Sequence, residues 1–356
     1  MWKWNFLLWL ICRATPDPKK RMQRLCQLQE RLTRELDRHR EYWQVGNRRA
    51  RIPALPGSQQ LHVLESVAVV MQGPVVTEHD FTLETLRLYR ETFPASPLIL
   101  STWAPLDRQL ETSFRDLGVE VLANSPPDCA GPSNLNLQVR SVRAGLAAAR
   151  ATSAEFVLKT RTDTRLYAAN VGDFLAALVR QFPLTGDAAR SSTGQRGRLV
   201  ALDLATRKYV PGHLSDILMF GLLDDMLDYW QIPEFGPDVV LEHPHRFGDF
   251  IRDAIPEVLL CGNYLRREGV DQPTSIETWW RALAERFLVV DRSMVEFFWY
   301  KYNYADDHRI SQDDLHRNLA LVSFRDWLNL ATYGKRPQID LEQLVDGHLN
   351  ALVPAA

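Results

Sequence analysis

Apolar residues between positions 65 and 221 fall into short runs separated by amphipathic stretches. Glu65-Ser-Val-Ala-Val-Val-Met71 is almost continuously apolar and stops at Gln72-Gly73-Pro74. That pattern predicts a strand buried on both faces. Helical spacing follows through Leu83, Leu86, Leu88 and Tyr89 and ends before Pro94. Residues 97–103 predict a second strand, 107–117 a helix stopped by Gly118, and 119–123 a third strand. A Ser-, Pro- and Asn-rich loop (124–133) precedes a long helix carrying Leu137, Val139, Val142 and Leu146. A fourth strand, 155–160, runs into Arg161-Thr162-Asp163, and 198–203 and 215–221 supply two more. Strands alternating with helices in this way predict a mostly parallel α/β sheet. From about residue 222 the chain reads as a helical C-terminal portion rich in Trp and Tyr.

The N-terminal pattern is of another kind. Leu25, Leu28, Leu32 and Leu36 form a narrow apolar stripe on an otherwise basic helix. Ahead of it, residues 1–12 hold Trp2, Trp4 and Trp9 among leucines. This run is shorter than the roughly 20 apolar residues that a spanning helix needs. It lacks a small-residue cleavage site, and the basic stretch follows it rather than precedes it. Such a segment suits the membrane interface, or docks on the protein's own core.

Charge sharpens this division. The 356-residue chain has a formal net charge of −2, which argues against a nucleic-acid binder. Residues 1–52, however, carry thirteen Lys/Arg against five Asp/Glu. This +8 arm therefore stands on a −10 body. The arm makes an anionic membrane surface an expected partner. The four cysteines, Cys12, Cys26, Cys129 and Cys261, form no C-x-x-C pair and fit reduced thiols in the cytoplasm. With 46% hydrophobic residues, the chain has ample apolar mass to fold.

In open α/β sheets ligands bind beyond the carboxyl ends of the strands. Those positions here are Gln72, Gly73 and Pro74; Ser101, Thr102 and Trp103; Lys159, Arg161 and Asp163; and Ser215 and Asp216. Together they predict a site for an anionic ligand. Glycine-rich phosphate fingerprints, a nucleophile elbow and H-E-x-x-H are all missing, against dehydrogenase, P-loop, hydrolase and zinc-protease chemistry. His243-Pro-His245 has the wrong spacing for a helical zinc site. The helix starting near Asn136 aims its N-terminal amides at this edge, with Asn136, Gln138 and Ser141 in its first two turns. Capping by Asn134 or Ser133 is the structural alternative.

Several motifs stand in order: Val69-Val-Met-Gln-Gly-Pro74, Phe93-Pro94, Ile99-Leu-Ser-Thr-Trp103, Asn134-Leu-Asn-Leu-Gln-Val-Arg-Ser141 with Gly145-Leu146, Leu158-Lys-Thr-Arg-Thr-Asp163 and Leu214-Ser-Asp-Ile-Leu-Met-Phe-Gly221. With Pro256-Glu257 and Tyr264-Leu265, the chain resembles the WavE family of lipopolysaccharide-synthesis proteins over roughly residues 64–310. The resemblance leaves out the basic arm and implies a GT-A-like (Rossmann-like) sheet flanked by helices, to which the residue pattern adds a helical C-terminal portion and an N-terminal basic helix. The division it suggests is an arm and linker (1–58), a glycosyltransferase domain (59–310) and a helical extension (311–356).

It further implies a nucleotide-sugar donor, an oligosaccharide or lipid-linked glycan acceptor, and a place at the cytoplasmic face of the inner membrane. The donor would meet Gln72, Gly73, Pro74, Ser101, Thr102, Trp103, Asn136, Gln138, Ser141, Lys159 and Arg161. The family's fold usually holds a divalent cation (Mn²⁺ or Mg²⁺) on an Asp-x-Asp element, which here reads Arg161-Thr162-Asp163. Asp163 is then the metal ligand, unless Arg161 and Lys159 take the phosphate charge directly. Asp216 is the first candidate for the base that activates the acceptor, and Glu257 the second. A sugar nucleotidyltransferase and an inactive membrane scaffold are the competing readings. Gln72-Gly73-Pro74 is too short and too neutral for the first of these.

Overall fold

The computed structural model describes residues 66–190, 194–236, 255–270, 275–301 and 321–334, with isolated positions between 13 and 27. The linker at 52–58, nearly all of the basic arm, and His243 and His245 lie outside the described residues. The chain divides into two compact units, residues 1–49 and 50–356, and the second holds the elements below.

In chain order these are β1 (Val67–Gln72), α1 (Phe81–Thr92), β2 (Leu98–Trp103), α2 (Arg108–Asp116), β3 (Val119–Asn124), α3 (Leu135–Arg150), β4 (Phe156–Arg161) and β5 (Thr164–Leu166). Then come α4 (Val171–Gln181), α5 (Gly186–Arg190), β6 (Leu199–Leu202), β7 (Met219–Leu222), α6 (Leu223–Tyr229), α7 (Pro256–Arg267), α8 (Ile276–Arg286), β8 (Phe287–Val290), β9 (Phe297–Trp299) and α9 (Phe324–Tyr333). Seven strands form one sheet in the order β3-β2-β1-β4-β7-β6-β8, and β5 pairs with β9 in a small second sheet. β3, β2, β1 and β4 run parallel, β7 is antiparallel to both its neighbours, and β8 is parallel to β6. The expected α/β class with a mostly parallel sheet is therefore the observed one.

Local chemistry explains where elements begin. All six residues of β1 are buried, as a central strand between helical layers requires. Asp107 caps α2, its Oδ1 accepting from the amides of Gln109 and Leu110, both at 2.9 Å. Helix α3 packs across β1 and β2, where Gly145 lets the backbone lie against Val70 and Ser101.

The structure differs from the sequence expectation in two places. The segment 215–218 precedes β7 rather than belonging to it. Because β7 runs antiparallel, its entrance lies at the carboxyl edge of β4, which is how Ser215 and Asp216 reach that edge. Second, the portion read as helical contributes β8 to the main sheet. Phe287-Leu-Val-Val290 is wholly buried and follows α8 without a turn residue, so nothing in its flanks marks a strand. Helix α9, within the C-terminal span 311–356, packs in the core. Its Trp327 is buried and donates to the carbonyl of Phe287 at 2.8 Å.

Candidate functional site

The carboxyl ends of β2, β1 and β4 stand side by side. Gln72 is in register with Ser101 on one side and with Arg161 on the other. Trp103, two positions beyond Ser101, therefore shares a face with Gln72 and Arg161. A cavity of about 1220 Å³ opens at this edge and is lined by all three. The start of α3 adds Ser133, Asn134 and Gln138, and the far wall is Phe298, Tyr300 and Lys301.

Backbone geometry fixes the floor. Gly73 has φ +121°, and a Cβ there would stand 2.9 Å from the Thr162 hydroxyl. Thr162 donates through its Oγ1 to the carbonyl of Pro74 at 2.6 Å and through its amide to the carbonyl of Gln72 at 3.0 Å. The turns after β1 and β4 are thereby tied together.

Asp163 is enclosed by donors. Arg161 Nε reaches Oδ1 at 2.8 Å and Nη2 reaches Oδ2 at 3.0 Å, while Trp299 Nε1 donates to Oδ2 at 3.0 Å. The guanidinium carbon lies 5.5 Å from the centre of the Trp299 ring. Burial pushes the Asp163 carboxyl up, but the Arg161 fork and the Trp299 bond outweigh it and hold the group below its ordinary 3.8. Asp163 was the expected metal ligand. With both oxygens accepting N–H groups and a guanidinium against them, the residues present do not fit a divalent cation held by this carboxylate. Among the described residues, no group of three or more His, Cys, Asp or Glu side chains is placed to hold a metal.

The expected donor-site residues divide into two sets. Gln72, Gly73, Pro74, Trp103, Gln138 and Arg161 line the cavity, as does Asp163, the expected metal ligand; Ser101, Thr102, Asn136, Ser141 and Lys159 do not. Each of the second set is buried for a structural reason. Ser101 donates to the Ser141 carbonyl at 2.6 Å, and Thr102 sits inside β2. Asn136 grips Phe235, accepting from its amide and donating to its carbonyl, both at 2.8 Å, and also donates to the Cys129 carbonyl at 3.1 Å. It is thus a latch between two loops.

Lys159 points under α6, where Nζ donates to the backbone carbonyl of Asp216 and lies 4.9 Å from the centre of the Trp230 ring. Burial lowers its pKa to about 8, partly opposed by Asp216. Asp216 is 4% exposed, and its Oδ2 finds no hydrogen-bond partner among the described residues. Glu257 opens α7 half-buried, and burial together with the nearby Asp216 pushes its carboxyl up to about 7. Neither acid lines the cavity; with Lys159 they form a group beside it, across β4 and the entrance to β7.

Other site residues escaped the sequence. Asn134 does not cap α3 with its side chain; Ser133 and Asn134 are both left-handed, at φ 46° and 67°, and line the cavity. Trp299 and Tyr300 arrive from β9, paired with β5, and the Tyr300 amide donates to the Asp163 carbonyl at 2.9 Å. No local signal ties Trp299 to Asp163, 136 positions away.

A family model described as WavE lipopolysaccharide synthesis matches residues 67–296. The chain belongs to the WavE family. That match spans every strand from β1 to β8 and all the cavity residues named above except Phe298, Tyr300 and Lys301. No curated protein matches the sequence. Among solved structures, a nucleotide-diphospho-sugar transferase from Desulfovibrio desulfuricans G20 is 10% identical, over 58% of this chain and 78% of that one, with TM-score 0.31. A 4-diphosphocytidyl-2C-methyl-D-erythritol synthase from Anaerococcus prevotii is 10% identical over 71% and 94%, with TM-score 0.33. Mouse xyloside xylosyltransferase 1 is 8% identical over 64% and 86%, with TM-score 0.30. All three TM-scores fall below 0.5, so the description of this WavE chain rests on its own sheet order and site geometry.

Proposed function

We propose that this WavE protein is a glycosyltransferase that moves a sugar from a nucleotide-sugar donor to a lipopolysaccharide or other cell-surface polysaccharide acceptor. The observation that carries the reading is the row Trp103, Gln72, Arg161 along one cavity at the sheet's carboxyl edge. An aromatic ring, a buried amide and a guanidinium on successive strands match a base, its polar edge and a diphosphate.

Arg161 takes the charge of the diphosphate, held in place by the Asp163 fork and the Trp299 ring. In transfer the bond from the anomeric carbon to the phosphate oxygen breaks, and the nucleoside diphosphate leaves with the electron pair. The acceptor oxygen bonds to that carbon and gives up its proton. Asp216 and the neighbouring Glu257, whose carboxyl is pushed up to about 7, are the candidates to receive it; neither lines the cavity, so the acceptor hydroxyl has to reach them beside it.

The acceptor's membrane setting gives the +8 arm a role at the cytoplasmic face of the inner membrane. No helix among the described residues is long and apolar enough to cross a membrane, and peripheral attachment is part of this proposal. The test is a transfer assay with lipopolysaccharide acceptors and labelled UDP-, GDP-, CMP- and TDP-sugars. Label should enter the glycan from one donor class. Release of pyrophosphate from NTP and sugar phosphate, with the nucleotide joined to the sugar phosphate, would instead identify a nucleotidyltransferase.

A further inference from the structure

Gln72 is only 4% exposed, yet it lines the cavity. Its backbone carbonyl accepts from Thr162 and its Oε1 accepts from Ser141 Oγ at 2.9 Å. Ser141 lies wholly buried on α3, and its carbonyl accepts from Ser101 Oγ at 2.6 Å. Ser101 Oγ in turn accepts from Asn124 Nδ2 at 2.8 Å. Side chains and backbone from β3, β2, α3 and β1 thus make one buried relay that ends on Gln72 and turns its amide oxygen inward. The amide nitrogen remains, and no described residue supplies it with an acceptor. It is a hydrogen-bond donor facing a cavity between the Trp103 ring and the Arg161 guanidinium.

A lone amide donor held in one orientation distinguishes ligands by what they present to it. A keto oxygen completes the bond, whereas an exocyclic amine opposes donor to donor and leaves the buried amide unsatisfied. We propose that Gln72 reads the exocyclic group at the pyrimidine 4 or purine 6 position of the donor's nucleobase, admitting a keto oxygen there (uracil, thymine or guanine) and rejecting an amine (cytosine or adenine). Ser141, Ser101 and Asn124 are positioning residues that set the direction of the amide. The inference rests on the nucleotide-sugar reading of the cavity and goes beyond it to the class of donor.

Calorimetric titration of the full chain with UDP, TDP, GDP, CDP and ADP tests this, with Gln72→Glu and Ser141→Ala beside the native protein and melting curves as the check on folding. Keto nucleotides should bind about tenfold tighter than amino nucleotides, the scale of one unsatisfied buried hydrogen bond. Gln72→Glu, which replaces the donor by an acceptor, should reverse the preference. Ser141→Ala should level it, because the freed amide can turn, while affinity for the diphosphate persists. Ser141 Oγ also lies 2.9 Å from the Leu137 carbonyl and 3.1 Å from that of Gln138, which compete for its single proton. A native preference for amino bases would mean that the amide is turned the other way, and would overturn the proposal. Binding without discrimination would overturn it alone. Failure of every nucleotide to bind would overturn the transferase reading, and this inference with it.

Discussion

Arg161 and Asp163 face each other in a two-point fork, Nε to Oδ1 at 2.8 Å and Nη2 to Oδ2 at 3.0 Å. The pair occupies the place where the resemblance implies two acids around a metal. The carboxylate therefore serves the arginine: it fixes the plane of the guanidinium and spends its own charge doing so. Donor affinity should then be insensitive to Mn²⁺ and to a chelator. Asp163→Asn should weaken donor binding severalfold by loosening Arg161. Titrations in EDTA and in Mn²⁺ check this, and a tenfold gain in Mn²⁺ that disappears in Asp163→Asn would restore the metal site.

The same pair predicts a pH dependence of stability. Asp163 titrates below its ordinary 3.8 in the folded chain. Its stabilising contribution is complete above that ordinary value and is lost as pH falls through the lower folded one. The difference in melting temperature between native protein and Asp163→Asn should stay constant from neutral pH down to about 4. Below that it should shrink. A difference that fades between pH 7 and 5 would place the carboxyl in the wrong state.

With Glu257 as the proposed base, its carboxyl, pushed up to about 7, would give turnover an acidic limb. A base must be deprotonated, so kcat should rise as pH increases through about 7 and level off above it. Glu257→Gln should remove most turnover and leave the dissociation constant of the donor nearly unchanged. An unaltered pH profile in that variant would assign the proton to another group, with Asp216 next in line.

These results also mark how far the residues alone could be read. The buried run of β1 and the strand–helix alternation through β4 are local patterns, and they recovered the parallel half of the sheet with its edge residues. Facing is not local. Arg161 and Lys159 lie two apart on β4, but one lines the cavity and the other is covered by Trp230, which arrives from a helix far along the chain. Asn136 had the right residue type at a helix start and was claimed by Phe235, 99 positions away. β8 and β9 are too short, at four and three residues, to show a period.

Asn136 offers a structural test that leaves the chemistry aside. Its alanine variant loses the four side-chain bonds to Phe235 and Cys129 and leaves their polar groups partly buried. A loss of about 1–3 kcal/mol is expected, read as a melting temperature lower by several degrees. A variant as stable as the native chain would show that the loop before α3 is held by other contacts.

The arm can be tested by truncation. Full-length protein should bind vesicles containing anionic lipid, more weakly as salt increases, and a chain lacking residues 1–52 should not. Equal binding by both would remove the membrane role from the arm while leaving the cavity's assignment intact.

The central claim is that a nucleotide-sugar donor lies along Trp103, Gln72 and Arg161. The most direct measurement is calorimetric titration of the native protein and Arg161→Ala with a panel of UDP-, GDP-, CMP- and TDP-sugars. The account predicts saturable one-to-one binding of at least one class, weakened tenfold or more by loss of the guanidinium in a variant that still melts cooperatively, at a lower temperature because Asp163 has lost its partner. No binding by the native protein, or equal binding by the two proteins, would contradict it.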